Sequence, residues 1–509
     1  MTNKEAKCAA REEKRFDDIV YGGHKVAAAV QPQKKQAQPN RKGGGLDAGD
    51  ENAMAADYIR LVGILLPGAL AKLSLLEDPR NVKKCDHTLP TLIVYGLIMF
   101  LSHMQSRRAA NQDISGESAH ELLKQVIPEL ASIPHADTLA RLLKRVDVDG
   151  IESCYEDTVT TFINSKTFLE LNPGQCLIAL DGTQKYSRRY CFDEHTLVYN
   201  RGNEDKERYA VYVLESILIL NNGMILPLFT EFLKNDDGEL GDEAKKQDCE
   251  LKAFTRLTDK IAKVIGKGRV TLLVDGLYAN GPVVSRCKAF GWDFMINLKR
   301  GSLQTVWEDF DGLCKCDPGS TLQNTTEAKR GQIFHWANGI EYIYGKNHKK
   351  IYLNIVTCTE EWTEMHLHSD GKPKAMVCEY AWLSSMEVTE KNVVRLCNDI
   401  ARKRWRIENN FLVLKHQGYA YSHCFSYDWN AMRGFHSLMK FAHFINTMIL
   451  SSTITCEQVK ALGAKGFIKK VWEILRLRGI GQHADAVSQN NPAGRNRGCI
   501  YRDVRLRAA

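Results

Sequence analysis

The chain has 509 residues, 44 % of them apolar and 26 % charged, with a formal net charge of +8. That length allows more than one hydrophobic core, and that composition is a globular protein's rather than a disordered chain's. The mild basic excess suits an anionic partner, and fifteen scattered cysteines with no CxxC pair exclude a small disulfide scaffold.

Residues 1–52 are polar and of mixed charge around QPQKKQAQPNRKGGG, and read as a disordered arm. Residues 53–170 read as helical. ADYIRLVGILLPGALAKLSLL and HELLKQVIPELASI repeat apolar residues every three to four positions. TLIVYGLIMFL (91–101) is too short to span a bilayer, which takes about 20 residues, and reads as a buried helix after Pro90. No membrane or targeting segment is expected. Asp137 is placed as the cap of a helix over DTLARLL, followed by a turn and a second helix to Ile163. The region is either a DNA-binding module or a helical bundle that packs on the next domain.

From 171 the period changes. LIAL (177–180), VLESILIL (213–220) and MILPLFTEFL (224–233) read as strands, the last two joined by Asn221-Asn222-Gly223 as a hairpin. An amphipathic helix, KKQDCELKAFTRLTDKIAKVI, comes next. TLLV (271–274) is a strand, GPVVSRCKAFG a helix and DFMINLK a strand. The order β, β-hairpin, α, β, α, β is that of a ribonuclease-H-like α/β fold, in which the first and fourth strands adjoin. Residues 301–385 alternate and are rich in Tyr, Trp, Ile and Val, so they read as a β-rich insertion. The core resumes as helix over 386–455. Residues 456–509 read as a basic tail, with 11 Lys/Arg against 4 Asp/Glu from Glu457 onward.

Three acidic residues stand out. Asp181 ends LIALD and Asp275 ends TLLVD, each followed by Gly. A carboxylate at the end of an apolar strand sits at a sheet rim, where α/β folds build sites. Two such neighbours repel unless divalent cations neutralise them. Hard oxygen ligands suit Mg²⁺ or Mn²⁺, and two ions about 4 Å apart can activate one oxygen and stabilise another. The alternative is that both Asp-Gly pairs are turns. The third acid, Glu408, lies in ARKRWRIENNFLVLK. At about 100° per residue, Arg404, Glu408 and Lys415 fall near 0°, 40° and 20°, one narrow stripe beside an apolar face. Arg404 and Lys415 suit phosphates, one by its fork and one as a point charge. An Arg–Glu pair on a solvated helix is the alternative there. Arg188 and Arg189, in KYSRRYCFDEH, are further candidates for phosphate contact, or simply a solvated loop. Cys314-Lys315-Cys316 and His366-Leu367-His368 resemble metal ligands but lack a second pair at zinc spacing.

Together LIALDGTQ, LLVDGLYAN and RWRIENNFLVLK resemble the DDE transposases of bacterial insertion sequences, of the insertion-sequence-four type. That family's Tyr-x2-Arg-x3-Glu-x6-Lys signature is matched by Arg404, Glu408 and Lys415, with Ala401 at the tyrosine position. KKQDCE and GYAYSHCF also look like segments of these proteins, and the resemblance covers roughly 175–450. It implies a catalytic and metal-binding triad of Asp181, Asp275 and Glu408, two Mg²⁺ or Mn²⁺ ions, and DNA contacts by Arg404, Lys415, Arg188 and Arg189. It implies a cut-and-paste transposase acting on double-stranded DNA at terminal inverted repeats, as a homodimer, in a bacterial cytoplasm near the nucleoid. It also implies that an aromatic of the insertion (Trp307, Trp336 or Trp362) receives a flipped base. No GxxxxGK[ST] loop is present, so ATP is not expected. A ribonuclease-H-like nuclease without strand transfer, or a domesticated transposase that only binds DNA, are the alternatives.

Overall fold

Among the described residues, eight helices precede the first strand: α1 (Ala48–Leu65), α2 (Pro67–Leu73), α3 (Leu89–Leu101), α4 (Arg107–Asp113), α5 (Glu117–Val126), α6 (Ala136–Leu143), α7 (Val148–Ile163) and α8 (Lys166–Leu171). The computed structural model describes residues 48–126, 130–203, 205–235, 248–317, 319–365, 373–478 and 506. Residues 1–47 of the arm expected over 1–52, the His366-Leu367-His368 pair and most of the tail beyond 478 lie outside the described residues, while residues 48–52 of that arm open α1. Thr88 caps α3, its hydroxyl accepting the Thr91 N–H, and Pro90 sits in the first turn, where a missing N–H costs nothing. The apolar run is buried, as its composition requires. Asp137 is not a cap: His135 takes that place, accepting the Asp137 N–H through its ring, and Asp137 lies inside the first turn. Asp147 caps α7.

The strands are β1 (Cys176–Arg188), β2 (Leu197–Tyr199), β3 (Arg208–Ile219), β4 (Ile225–Leu233), β5 (Val270–Val274) and β6 (Asp293–Asn297), with α9 (Glu250–Ile265) and α10 (Gly281–Phe290) between them. β4 pairs with β3, β3 with β1 antiparallel, β1 with β5 parallel and β5 with β6 parallel. This is the ribonuclease-H-like order, and the first and fourth core strands adjoin. Leu220, Asn222 and Gly223 close the hairpin, Gly223 with φ of 80°.

The sheet does not stop at β6. After a helix α11 (Gln304–Cys316) come four strands, β7 (Thr321–Thr325), β8 (Gly331–Tyr344), β9 (Lys349–Met365) and β10 (Pro373–Ser384), and β10 pairs antiparallel with β6. Ten strands therefore form one sheet. The segment expected as a β-rich insertion over 301–385 thus carries four strands and opens with a helix. Val306, Trp307 and Phe310 recur at helical spacing and are buried together, which makes 304–316 a helix.

Helices α12 (Arg406–His416), α13 (Trp429–Leu450) and α14 (Cys456–Arg478, kinked at Gly463) are the last among the described residues. α13 is buried along nearly its whole length. The N-terminal helices pack on it rather than standing apart: Tyr58 donates to Asn446, and Asn446 donates to the Leu101 carbonyl. Gly96 allows the close approach, because a Cβ there would lie 2.7 Å from Leu438 Cδ1 and 2.8 Å from Leu139 Cδ2. Residues 456–478, read as part of a basic tail, form a helix whose Phe467, Ile468 and Val471 are buried. Apolar residues at three-to-four spacing outweigh the local charge. Among the described residues, no helix is long and apolar enough to cross a membrane.

Candidate active site

The middle of β1, the end of β5 and one irregular helix meet here; Asp181 does not end its strand, as the apolar run before it suggests, but lies inside β1, whose pairing with β3 carries on to Arg188. Parallel pairing places Ala179 opposite Leu273, and the same register brings Asp181 level with Asp275. Asp275 ends β5 and caps the next turn, its carboxylate accepting the Leu277 N–H at 2.9 Å. Asp181 accepts the Gly182 N–H at 3.0 Å.

The third element differs from the regular helix expected around Glu408 in the segment 386–455. A π-helical turn (Arg395–Ile400) and a 3-10 turn (Ala401–Trp405) precede α12. The 100° spacing therefore fails at Arg404, yet the side chains still converge. Arg404, only 6 % exposed, lies between two carboxylates, with Nη1 3.6 Å from Asp181 Oδ2 and Nη2 3.6 Å from Glu408 Oε1. Those are ion-pair separations too long for hydrogen bonds. Lys415 donates to Thr183 Oγ1 at 3.1 Å, next to Asp181 along β1. The 3-10 turn is pinned from the sheet extension: Arg402 donates to the buried Glu360 of β9 at 2.8 Å and lies 4.4 Å over the Tyr380 ring of β10. Ala401, at the signature's tyrosine position, is buried among Leu396, Ile407, Val356 and Trp382. A methyl fits that core; a tyrosine there would have to displace it.

A fourth carboxylate joins them that the sequence pattern does not single out. Glu250, in the first turn of α9, accepts the Tyr278 hydroxyl at 2.8 Å and the Tyr212 hydroxyl at 3.4 Å. Tyr278 stands three residues after Asp275. A Cβ at Gly182 would lie 2.5 Å from Glu250 Oε2, so the glycine after Asp181 makes room for this side chain. The segment KKQDCE held the only signal in the sequence.

The electrostatics agree with this crowding. Burial pushes the Asp181 carboxyl up to about 7; Arg404 opposes this, while Asp275, Glu408 and Glu250 add to it. Burial also raises Glu250, partly offset by Tyr278. Lys415 is lowered by burial, with Asp181 and Glu408 pulling it back. Four carboxylates thus share one cleft with two cations. Among the described residues no three His, Cys, Asp or Glu side chains stand close enough to hold a metal ion as they are placed. Arg404 occupies the space between Asp181 and Glu408. The donor set itself, all oxygen and short of positive charge, fits a hard divalent cation.

The remaining candidates lie elsewhere. Arg188 is at the far end of β1 and Arg189 just beyond it. Trp307 and Trp336 are buried in the core, and Trp362 is half-buried under Arg330 at 4.5 Å. Cys314 and Cys316 are free thiols on α11.

Two family models match the chain: one described as DDE_Tnp_1-associated over residues 70–158, and one described as Transposase DDE domain over residues 243–445. The second takes in Glu250, Asp275, Arg404, Glu408 and Lys415 and begins beyond Asp181. No curated protein matches the chain.

Proposed function

We propose a cut-and-paste mechanism for this chain, which belongs to the DDE transposases and so cleaves and joins DNA. The observation that carries the proposal is the convergence of Asp181 and Glu408 on Arg404, with Asp275 level with Asp181. The family generally uses divalent metal ions. Asp181, Asp275 and Glu408 would hold two Mg²⁺ or Mn²⁺ ions, which when bound supply Lewis-acid activation of the attacking oxygen and neutralisation of the leaving one. Arg404 stands between Asp181 and Glu408 and offers its guanidinium to both. Glu250, gripped by two tyrosines, fixes the spacing of the two Asp-Gly corners. Lys415 offers its ammonium to a substrate phosphate, and Arg188 and Arg189 contact the backbone of the same duplex.

Water first displaces one strand at a terminal inverted repeat, leaving a 3′-hydroxyl. That hydroxyl then attacks a target phosphodiester, forming one P–O bond as another breaks. Each joining step conserves a phosphodiester bond, so no ATP is required. Two ends must be handled together, which calls for a homodimer, acting in the cytoplasm on the nucleoid.

The test is a strand-transfer assay with end DNA, plasmid target and Mg²⁺, comparing the parent with Asp181→Ala. Joined product from the parent alone supports the proposal. Cleavage without joining favours a plain nuclease, DNA binding alone favours a domesticated protein, and equal product from both chains removes Asp181 from the chemistry.

A further inference from the structure

A groove of about 790 Å³ lies between α4, α6 and the loop that leads into α13. Its anions are engaged. Asp137 accepts from Arg107 at 2.8 Å, and Asp428 caps α13 by accepting the Ala431 N–H. Arg108 and Lys144, which also line it, are exposed and carry no ion pair among the described residues. The loop wall ends in an aromatic platform. The Tyr427 hydroxyl accepts from Arg188 Nε at 3.2 Å, and the guanidinium lies 5.7 Å from the Tyr427 ring and 5.5 Å from that of Tyr186. Tyr190 meets Tyr427 at 6.5 Å. Both outer rings are open to solvent, Tyr190 at 54 % and Tyr427 at 42 %.

Strand register ties this platform to the acidic cluster. Asp181 and Arg188 are an odd number of residues apart, which in a regular strand sends them to opposite faces. β1 bulges between Gln184 and Tyr186. Asp181 therefore pairs with Glu215 and Arg188 with Tyr209, an even step along β3, and both side chains leave the same face. At ~3.3 Å per residue the two are about 20 Å apart along the strand. At ~3.4 Å per base pair that is about six steps of duplex.

We propose that this groove and its Arg188–Tyr427 platform bind the sugar-phosphate backbone of duplex DNA about six base pairs from the acidic cluster. The helical region matched as DDE_Tnp_1-associated then supplies one wall of the DNA path. Unpaired cations answer phosphates, and open aromatic faces with a stacked guanidinium tolerate any base sequence. The proposal rests on duplex DNA being the substrate and adds a contact remote from the chemistry.

Binding of a fluorescein-labelled duplex of arbitrary sequence is measured by anisotropy over a series of KCl concentrations, in EDTA. Arg108→Ala combined with Lys144→Ala lowers the slope of log K against log [KCl] by about 1.8, two phosphates at ~0.9 each. Both side chains are exposed, so the melting temperature stays at the parent's. An unchanged slope overturns the proposal. The second readout is N-ethylmaleimide alkylation mapped by mass spectrometry. Cys191, exposed beside Tyr190, is protected several-fold by saturating duplex, while exposed Cys316 on α11 is not. Equal alkylation of Cys191 with and without duplex also overturns it. If the parent shows the slope and the protection yet never joins strands, the groove stands and the joining mechanism falls.

Discussion

Two charged clusters sit on the same pair of strands, and they differ in how completely their charge is answered. Asp181 of β1 pairs across the sheet with Glu215 of β3. Glu215 is fully buried, and its carboxylate meets Lys440 at 2.5 Å, Tyr421 and Thr230 at 2.7 Å each, and His436 at 3.3 Å. Burial alone would raise it, but Lys440 and His436 hold it well below the usual carboxylate range. Lys185 closes the same cluster, donating to the Tyr421 carbonyl at 2.8 Å. Asp181, one strand away, has Arg404 at 3.6 Å and three carboxylates in reach, and it is pushed the other way. A buried carboxylate met on every side fastens α13 to the sheet; carboxylates met by too few cations keep a demand for positive charge that a ligand can meet. The difference separates architecture from chemistry more clearly than the count of charged residues does.

The largest effect expected is at the unsaturated cluster. Asp181→Asn should lower strand joining on the order of 10³-fold or more. It should also leave the metal-free protein as stable as the parent or up to roughly 2 kcal/mol more stable, because it removes a repelled carboxylate. A large fall in melting temperature would break the comparison. Glu215→Gln is the mirror case. It strands Lys440 in the interior and should cost roughly 3–5 kcal/mol in denaturant unfolding. Its joining activity should fall only as folded protein is lost, and full stability in this variant would show that the network is not structural.

Acid should act on the buried histidines and on Asp181 with opposite signs. Burial pushes His436 and His103 down to about 4 and His443 down to about 3, from an ordinary 6.5. Below pH 6.5 the unfolded chain takes up protons that the fold refuses. Stability is therefore full above 6.5 and falls toward pH 4, by up to about 4 kcal/mol per pH unit for three sites. Asp181 is raised from 3.8, so its contribution is present below 3.8 and lost as pH rises through about 7. The stability gained by Asp181→Asn in metal-free buffer should thus be seen at pH 8 and vanish near pH 4. Equilibrium unfolding of both chains across that range checks both signs. The smallest effect concerns the join between the strands and Glu250. Gly182→Ala puts a Cβ 2.5 Å from Glu250 Oε2 and 2.7 Å from Tyr212 Cε1, and should cost about 1–3 kcal/mol. Adding Glu250→Ala should restore most of that stability but not joining; no restoration would mean that Tyr212, not Glu250, sets the glycine.

Much of the fold is legible in the sequence. The strands that carry Asp181 and Asp275, the hairpin at Gly223 and the helix through Ile265 each show a local period or a turn residue that only one backbone conformation satisfies. The site is legible as far as Glu408 and Lys415 share one face of α12; Arg404 reaches them from a 3-10 turn that the sequence does not announce. What could not be read is whatever depends on partners distant in sequence. The exception is the cap at His135, which displaces Asp137 from only two residues away. The π and 3-10 turns before Arg406 are held by Glu360 and Tyr380, over forty and twenty residues upstream of Arg402. Ala401 looked like a missing tyrosine, and its burial against β9 and β10 is what gives the small side chain a reason.

By itself, then, the sequence determined most of the strand and helix segments and which carboxylates follow apolar runs, because those properties arise from neighbours within a few residues. Only the tertiary structure decided that Glu250 joins the acidic cluster, that Arg188 shares a face with Asp181, and that Glu215 is answered while Asp181 is not. The reason is physical. Register, a one-residue bulge and burial are set by segments tens to hundreds of residues apart, and a carboxylate's charge state depends on what those segments bring within a few ångströms.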